Sequence, residues 1–304
     1  MRWQLGHGRH LDLGAKSVLM GILNVTPDSF SDGGQFRYPE RAIARVRQML
    51  AEGATIIDVG GESTRPGAEP VSAREEQARI LPVIEQLSSE GGALISVDTY
   101  RAETARLAAQ AGADAIHVTG DGHPGRGATY STGHATDIPN NFVPAAARIR
   151  AAAGVPVICP GRIEPEDADR FIAEGKLDFV TMGRKLLADP HLPRKLSEGR
   201  ERDVRPCVYC YTCISQIFFS RPVKCAVNPE TGFERERALT PAARPRRIAV
   251  VGGGPAGMES ARRLAARGHI VTLLEMSASL GGTARFAQIA YAPNQGIVDW
   301  LKRQ

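Results

Sequence analysis

The sequence has no apolar run of the ~18–20 residues that a membrane span requires, and its first residues lack the apolar stretch of a signal peptide. Internal repeats and low-complexity stretches are also missing. With 42% hydrophobic and 23% charged residues, the composition excludes the disordered and collagen-like classes. We therefore expect a soluble, cytoplasmic protein without membrane contact, whose 304 residues form one large domain plus a further part.

The chain has little excess charge of one sign. It carries 38 Lys and Arg against 33 Asp and Glu, a net charge of +5. Because the arginines are scattered among acidic residues, this balance favours a soluble, arginine-rich surface over a nucleic-acid interface. We expect small-molecule substrates and no nucleic-acid partner, and the sequence leaves a homo-oligomer open.

Cysteine is scarce and unevenly placed. Four of the five cysteines follow the spacing C-x2-C-x2-C-x11-C, at Cys207, Cys210, Cys213 and Cys225. Thiolates at this spacing are typical of an iron–sulfur centre, whereas a zinc ribbon more often has two separated C-x2-C pairs. Disulfides are the third alternative and are disfavoured in a reducing compartment. The spacing predicts a [4Fe–4S] site, while Cys159 is expected to be a small core residue.

Short β-rich runs alternate with amphipathic helical stretches up to about residue 200, which is typical of βα units around a parallel sheet. The predicted strands are 17–25, 55–60, 94–99, 115–120, 155–161 and 178–183. A full eightfold barrel has eight strands and needs ~250 residues. The pattern therefore predicts an α/β fold with a partial TIM-type (β/α) barrel of about six units over residues 1–200. We expect an irregular iron–sulfur segment at 201–243 and an incomplete Rossmann-like βαβ unit at 244–304.

A glycine-rich turn follows the first strand of that last unit. Gly252, Gly254 and Gly257 give G-x-G-x-x-G between a predicted strand and helix, and Glu275 closes the next strand. In such a turn the glycines admit a pyrophosphate, the helix N-terminus stabilises it and the acidic residue accepts from a ribose hydroxyl. The bland alternative is a glycine turn without a ligand.

Three long motifs stand in the first part of the chain: MGILNVTPDSFSDGG at 20–34, IIDVGGESTRPGA at 56–68 and SVDTYRAET at 96–104. Over residues 1–114 the sequence resembles the dihydropteroate synthase family. The resemblance implies a pterin-binding barrel of folate biosynthesis, which joins p-aminobenzoate to a dihydropterin carrying a CH2-diphosphate.

The resemblance also implies roles for single residues. Asn24 would offer a neutral oxygen to Mg2+, Asp98 would accept hydrogen bonds from the pterin ring, and Asp28 lies in a loop able to close over the reactants. The remaining residues lie on the second motif: Thr64 as a hydroxyl donor, Arg65 as a phosphate-binding guanidinium, and Pro66, which stiffens the turn. The alternative is that Asp28 and Asp98 only form a turn and a helix cap.

From residue 115 onward the sequence instead resembles the NADH:flavin oxidoreductase family, of the 2,4-dienoyl-CoA reductase and trimethylamine dehydrogenase type. The resemblance rests on AIHVTG, GHATDIP, VPVICPGRIEPEDADRF, DFVTMGRKLLADP, the cysteines and the glycine turn. It implies that Arg162, Gly183 and Arg184 anchor the FMN phosphate, and that FAD binds at the glycine turn. His134 becomes a candidate proton donor, although a solvated loop histidine is the commoner case.

The two resemblances indicate a chimera joined near Asp114. AIHVTG stands where the synthase family's Asn-Asp pair is expected, and the reductase family's first barrel half has no counterpart. Our leading hypothesis from sequence is a dihydropteroate-synthase-like transferase, with Asp28 and Arg65 as its catalytic candidates. His134 is the catalytic candidate that the oxidoreductase resemblance adds. The alternatives are an FMN, [4Fe–4S] and FAD-dependent NAD(P)H oxidoreductase, and a fused chain without turnover.

Overall fold

We describe a computed structural model of the chain over residues 2–14, 18–26, 38–62, 71–118, 139–219, 221–290 and 294–304. The chain divides into two compact units, residues 1–182 and residues 183–304. This division falls before the predicted barrel boundary at residue 200. The finer boundaries at 114, 200 and 243 stay predictions.

The first unit is built on a parallel sheet. In the described part of the chain this sheet has six strands in the order of the sequence. They are β3 (Met20–Asn24), β4 (Ile56–Gly60), β5 (Leu94–Asp98), β6 (Ala115–His117), β7 (Val157–Cys159) and β8 (Phe179–Val180). All six predicted strands are confirmed, each shorter than its apolar run, and the α/β fold with a six-unit partial barrel is confirmed with them.

Helices connect these strands and cover one face of the sheet. They are α1 (Tyr38–Ala51), α2 (Ala73–Glu90), α3 (Ala102–Ala111), α4 (Val143–Ala153) and α5 (Pro165–Ala173). Ser72 caps α2, because its hydroxyl accepts from the Glu75 N–H at 3.2 Å. Gly112 ends α3 in the left-handed region with φ 113°, a conformation that glycine adopts at little cost.

Side chains alternate between the two faces of each strand, and this alternation separates the core from the candidate site. On β4, Ile57 and Val59 belong to the apolar core that includes Ile80 and Ile84 of α2. Asp58 points to the other face. The helix-covered face therefore supplies the hydrophobic stabilisation, and the opposite face is free to carry polar side chains.

A short antiparallel hairpin precedes the sheet and was not predicted. It consists of β1 (Arg2–Gln4) and β2 (His10–Asp12). Trp3 packs against Phe179 of β8, with ring centroids 4.3 Å apart and ring planes tilted by 55°. The hairpin thus contacts the last strand of the sheet, and the described residues include no second strand partner for β8.

The second unit is made of short elements. It contains α6 (Gly183–Ala188), α7 (Leu192–Ser197), α8 (Thr212–Phe218), β9 (Arg247–Val251), α9 (Pro255–Ala266), β10 (Ile270–Leu274), α10 (Ala284–Ala290) and α11 (Asn294–Arg303). β9 and β10 pair in parallel, and α9 connects them in the chain, as the predicted Rossmann-like βαβ unit requires. The buried apolar cluster of this unit is small, formed by Met258, Trp300 and Leu301.

Across the described part of the chain, no helix combines the length and the apolar character needed to cross a membrane.

Candidate functional sites

The first candidate site is a row of residues at the carboxyl ends of the strands. In register across the sheet, Asn24 pairs with Gly60, Gly60 with Asp98, and Asp98 with His117. A β-carbon placed on Gly60 would lie 3.5 Å from Asn24 Oδ1 and 3.7 Å from Asp98 Cβ. The glycine therefore leaves room between the two side chains that the sequence assigned to magnesium and to pterin.

Sequence reasoning missed three residues near this row. His117 Nδ1 lies 3.5 Å from Asp58 Oδ2, and His117 Nε2 lies 3.3 Å from the hydroxyl of Thr181, just after β8. Burial alone lowers the pKa of His117, but the contact with Asp58 and the charges of Asp58 and Asp98 outweigh burial and raise that pKa above 6.5. Asp58 and His117 are each a lone polar residue in an apolar strand, a signal that could have identified both.

Two further polar atoms of this face are buried. Asp58 is 5% exposed and Ser96 is 1% exposed. Within the described residues, neither Asp58 Oδ1 nor Ser96 Oγ has a hydrogen-bond partner. Because unpaired buried acceptors are unfavourable, this face is suited to water or to a ligand with N–H or O–H donors.

Arg101 joins the two ends of the segment that carries the second motif. Its guanidinium donates to Glu62 Oε2 at 2.7 Å and to the Val71 carbonyl at 2.6 Å, and it pairs with buried Glu76 at 3.0 Å. The predicted residues between these ends, Thr64, Arg65 and Pro66, lie outside the described residues, as do Asp28 and His134. Their roles stay predictions.

The residues predicted to bind the FMN phosphate lie in different units. Arg162 follows β7 in the first unit, and its carbonyl accepts from the Asn140 N–H at 3.3 Å. Gly183 and Arg184 open α6 in the second unit. Their joint role in FMN binding stays a prediction.

The second candidate site is a cavity lined by all four clustered cysteines, Cys207, Cys210, Cys213 and Cys225. Arg184 lines the same cavity. The five cysteines of the chain are free thiols, and Cys159 is buried in the first unit, as predicted. Burial raises the pKa of the Cys159 thiol to about 12, which makes it an unreactive core residue.

The backbone between the cysteines bends sharply. Tyr209 and Tyr211, one in each two-residue spacer, adopt left-handed conformations with φ 49° and 63°. Such backbone is uncommon for residues other than glycine and is concentrated at functional sites. The Tyr209 N–H points to Cys207 Sγ at 3.5 Å. These bends allow three closely spaced cysteines to line the same cavity.

Four thiols are the donor set that a [4Fe–4S] cluster uses. No set of three or more Cys, His, Asp or Glu side chains in the described ranges is arranged to hold one metal ion. A [4Fe–4S] cluster does not require such convergence, because each of its four thiolates binds a different iron. Four cysteines around one cavity therefore fit a cluster, whose presence stays a proposal.

The glycine turn has the geometry that its motif predicts. Gly252 has φ 102°, and a β-carbon on Gly257 would overlap the carbonyl oxygen of Gly252. Gly254 caps α9. Glu275 Oε2 accepts from the Gly253 N–H at 2.6 Å, and its hydrogen bonds with Ser277 help lower its pKa to about 2. Glu275 is therefore ionised at neutral pH and holds the turn.

Sequence models of known families match this chain in three consecutive stretches. Residues 20–121 match the pterin binding enzymes, residues 129–203 the NADH:flavin oxidoreductase / NADH oxidase family, and residues 250–300 an NAD(P)-binding Rossmann-like domain. The chain joins a dihydropteroate-synthase-like segment to an oxidoreductase-like segment. The predicted join near residue 114 lies shortly before the end of the first match.

Individual relatives repeat this division. The dihydropteroate synthase of Streptococcus pyogenes serotype M1 is 56% identical over 101 residues, 33% of this chain and 38% of that protein. A metal reductase of Desulforamulus reducens is 41% identical over 176 residues, 57% of this chain and 26% of that protein. The chain therefore spans about a quarter to two fifths of the length of these relatives.

A solved structure of a 2-naphthoyl-CoA reductase has the same fold. It superposes with a TM-score of 0.77 and 24% identity, covering 99% of this chain and 51% of the reductase. At this identity the similarity concerns the fold alone. Transferase-like and oxidoreductase-like features are thus both present in one chain.

Proposed function

We propose that the chain is part of a flavin-dependent oxidoreductase that also carries an iron–sulfur cluster. In this proposal Cys207, Cys210, Cys213 and Cys225 hold a [4Fe–4S] cluster. The turn at residues 252–257 binds the pyrophosphate of FAD or NAD(P). FMN, where present, is bound through Arg162, Gly183 and Arg184. The activity and substrates of the longer relatives are part of the proposal.

The observation that carries this function is the cysteine cavity. Four thiols from a nineteen-residue stretch line one cavity. The backbone between them bends at two tyrosines that adopt left-handed conformations. The 41% identity to a metal reductase over 176 residues supports a redox role.

The proposed cofactors supply electron transfer, and the protein supplies their binding and surroundings. When bound, an iron–sulfur cluster accepts and donates single electrons. The Tyr209 N–H is placed to donate to Cys207 sulfur, and hydrogen bonds to sulfur are among the factors that set a cluster's potential. At the glycine turn, Gly257 keeps the helix close to the strand, and the N-terminus of α9 favours an anionic group.

The test is a cofactor inventory of the full-length chain, purified and reconstituted without oxygen. We expect about four irons and four sulfides per chain, flavin absorbance, and loss of iron in Cys213→Ser. Cys159→Ala is the matched control, because Cys159 lies in the other unit and should leave the iron content unchanged. An iron-free, colourless wild type, or zinc in place of iron, would refute the proposal.

A second candidate function is the dihydropteroate-synthase-like transfer reaction. The observation that favours it is the register of Asn24, Gly60 and Asp98 at the strand ends, where barrel active sites lie. Asn24 would give one oxygen to Mg2+, Asp98 would accept from the N–H edge of the pterin, and Arg65 would stabilise the leaving diphosphate.

Diphosphate release from the dihydropterin diphosphate in the presence of p-aminobenzoate and Mg2+ tests this second function. We expect Asp98→Ala and Arg65→Ala to abolish it and Cys213→Ser to leave it unchanged. Absence of diphosphate release by the wild type removes the transferase. If iron is absent as well, the chain is a fusion without turnover.

A further inference from the structure

Arg205 connects the two ends of the stretch that carries the four cysteines. It lies two residues before Cys207, and its Nη1 donates to the carbonyl of Val227 at 2.9 Å. Val227 lies two residues after Cys225 and lines the cysteine cavity. The same guanidinium nitrogen lies 3.3 Å from Asn228 Oδ1. One side chain thus joins the chain before the first cysteine to the chain after the last one.

Arg205 is itself buried and held from several sides within the second unit. Its backbone N–H donates to Asp189 Oδ2 at 2.8 Å, and its Nη2 donates to Glu259 Oε1 at 3.3 Å. The guanidinium carbon lies 4.6 Å from the centre of the Trp300 ring, which is within the range of a cation–π contact. These partners fix the direction in which the guanidinium points towards Val227.

The fourth cysteine is the one that the spacing constrains least. Two residues separate Cys207 from Cys210 and Cys210 from Cys213, whereas eleven residues separate Cys213 from Cys225. Closing a longer segment of chain costs more conformational entropy than closing a shorter one. A contact that fixes the chain next to Cys225 reduces this cost before any iron binds.

We propose that Arg205 is a positioning residue that keeps Cys225 close to the other three cysteines, so that all four thiolates reach one cluster. The inference rests on the cluster assignment proposed above, and Arg205 itself binds no iron. A planar guanidinium presents N–H donors in several fixed directions, so it serves Val227 and Glu259 at the same time. The compact ammonium of a lysine retains the charge without this fork.

The first measurement uses the full-length chain without iron. A short bifunctional thiol reagent links Cys207 to Cys225, and the rate is compared with that of the Cys207–Cys210 link in the same sample. We expect Arg205→Met to slow the first link about tenfold and to leave the second unchanged. Tenfold corresponds to about 1.4 kcal/mol, close to the lower end of the range for a hydrogen bond that involves a charged group. Arg205→Lys should show a smaller slowing of the same kind, and Arg235→Met, which removes an exposed arginine of the same unit, is the matched control.

The second measurement is the iron content of the same variants after anaerobic reconstitution and limited oxidation with ferricyanide. An iron whose cysteine is displaced is lost most easily. The oxidised products of [4Fe–4S]2+ are then [3Fe–4S]+, Fe2+ and one electron, which ferricyanide accepts. At a dose that leaves about four irons in the wild type and in Arg235→Met, we expect about three in Arg205→Met, with a three-iron signal in electron paramagnetic resonance.

A wild-type linking rate or a wild-type iron content in folded Arg205→Met would overturn the inference and leave the cluster assignment intact. Equal slowing of both links, or loss of all iron without a three-iron signal, indicates a general loss of structure and also overturns it. Circular dichroism establishes folding, and Arg205→Lys decides by the same criteria if Arg205→Met does not fold. If the wild type binds no iron, the proposed function fails, and this inference fails with it.

Discussion

The two units build their candidate sites in opposite ways. In the first unit, Asn24, Asp58, Asp98, His117 and Thr181 come from five separate parts of the chain, and a sheet backed by a large apolar core brings them together. In the second unit, four cysteines from one short stretch line a cavity, and the apolar cluster has few members.

This difference predicts what each site depends on. A site assembled by a sheet depends on the hydrophobic core that holds the strands in register. A site in a short, irregular segment with little core should depend on the cluster that we propose for it, because metal binding then contributes directly to folding. The unfolding of the two units can be monitored separately, because the chain's only two tryptophans are Trp3 in the first unit and Trp300 in the second.

The largest effect should come from removing a cysteine. We expect Cys213→Ser to lose nearly all bound iron and to lower the unfolding midpoint reported by Trp300, because the second unit would lose the energy of cluster binding. Trp3 should report an unchanged first unit. The measurement is denaturant unfolding of each protein after the same reconstitution treatment, in Trp3→Phe and Trp300→Phe backgrounds, together with iron analysis.

Cys159→Ala is the control for this substitution, and it should affect only the signal of Trp3. Equal losses at Trp3 and Trp300 after Cys213→Ser would abolish the contrast between the units, since the metal would then support both.

The next largest effect concerns the core of the first unit. Ile57 is fully buried, and we expect Ile57→Ala to destabilise this unit by about 2–5 kcal/mol, through lost transfer energy and a cavity. Ile22 lies on the neighbouring strand and is 64% exposed, so Ile22→Ala should change stability by less than about 0.5 kcal/mol. Denaturant unfolding monitored by Trp3 measures both.

A comparable loss in Ile22→Ala would mean that the face opposite the helices is covered in solution. Iron content should not change in either variant, which keeps this test independent of the first one.

A smaller effect is expected at the glycine turn. The β-carbon of Gly257→Ala would overlap the carbonyl oxygen of Gly252, so we expect a loss of about 1–3 kcal/mol in the second unit. At Gly254 the added carbon would lie 3.9 Å from Gly282 Cα, and φ is −73°, so Gly254→Ala should cost less than about 1 kcal/mol. Unfolding monitored by Trp300 separates the two variants.

Both substitutions should weaken binding of FAD or NAD(P), which equilibrium titration of the full-length chain detects. If Gly257→Ala were as stable as the wild type, the close approach between helix and turn would not be needed for this βαβ unit.

Much of this contrast could be predicted from the sequence. The six strands and the glycine turn have local signals, namely apolar runs of the right period and glycines at fixed spacing, and the structure places each of them as expected. The cysteines were recognised by spacing alone. Features that depend on distant contacts could not be predicted in this way, such as the packing of the hairpin against β8 through Trp3 and Phe179.

The partners of single polar residues were also beyond the sequence. Asp58 and His117 are far apart in the chain, and only the register of β4, β5 and β6 brings their side chains together. Arg184, which the resemblance assigns to a phosphate, also lines the cysteine cavity, and this position was not predicted. Which groups face a side chain is decided by tertiary packing, which neither motif nor periodicity specifies.

The smallest effect should come from the Asp58–His117 pair, and it tests whether the first unit's row is held by charge as well as by the sheet. Because the pKa of His117 is raised above 6.5 on folding, its contribution to stability is fully present below about pH 6.5 and is lost as pH rises through the folded-state pKa. For a pair that is largely but not fully buried, we expect a change on the order of 0.5 kcal/mol.

Asp58→Asn should lower the pKa of His117, measured from its imidazole proton resonances, and remove most of this pH dependence from the unfolding reported by Trp3. Asp98 remains in that variant and still favours the protonated ring, so the pKa should fall without reaching the value of an isolated buried histidine. Thr181→Val is the control, because it removes the hydroxyl contact at Nε2 and leaves Asp58 in place. An unchanged pKa in Asp58→Asn would mean that Asp58 does not hold the proton on His117, and the row would then depend on the sheet alone.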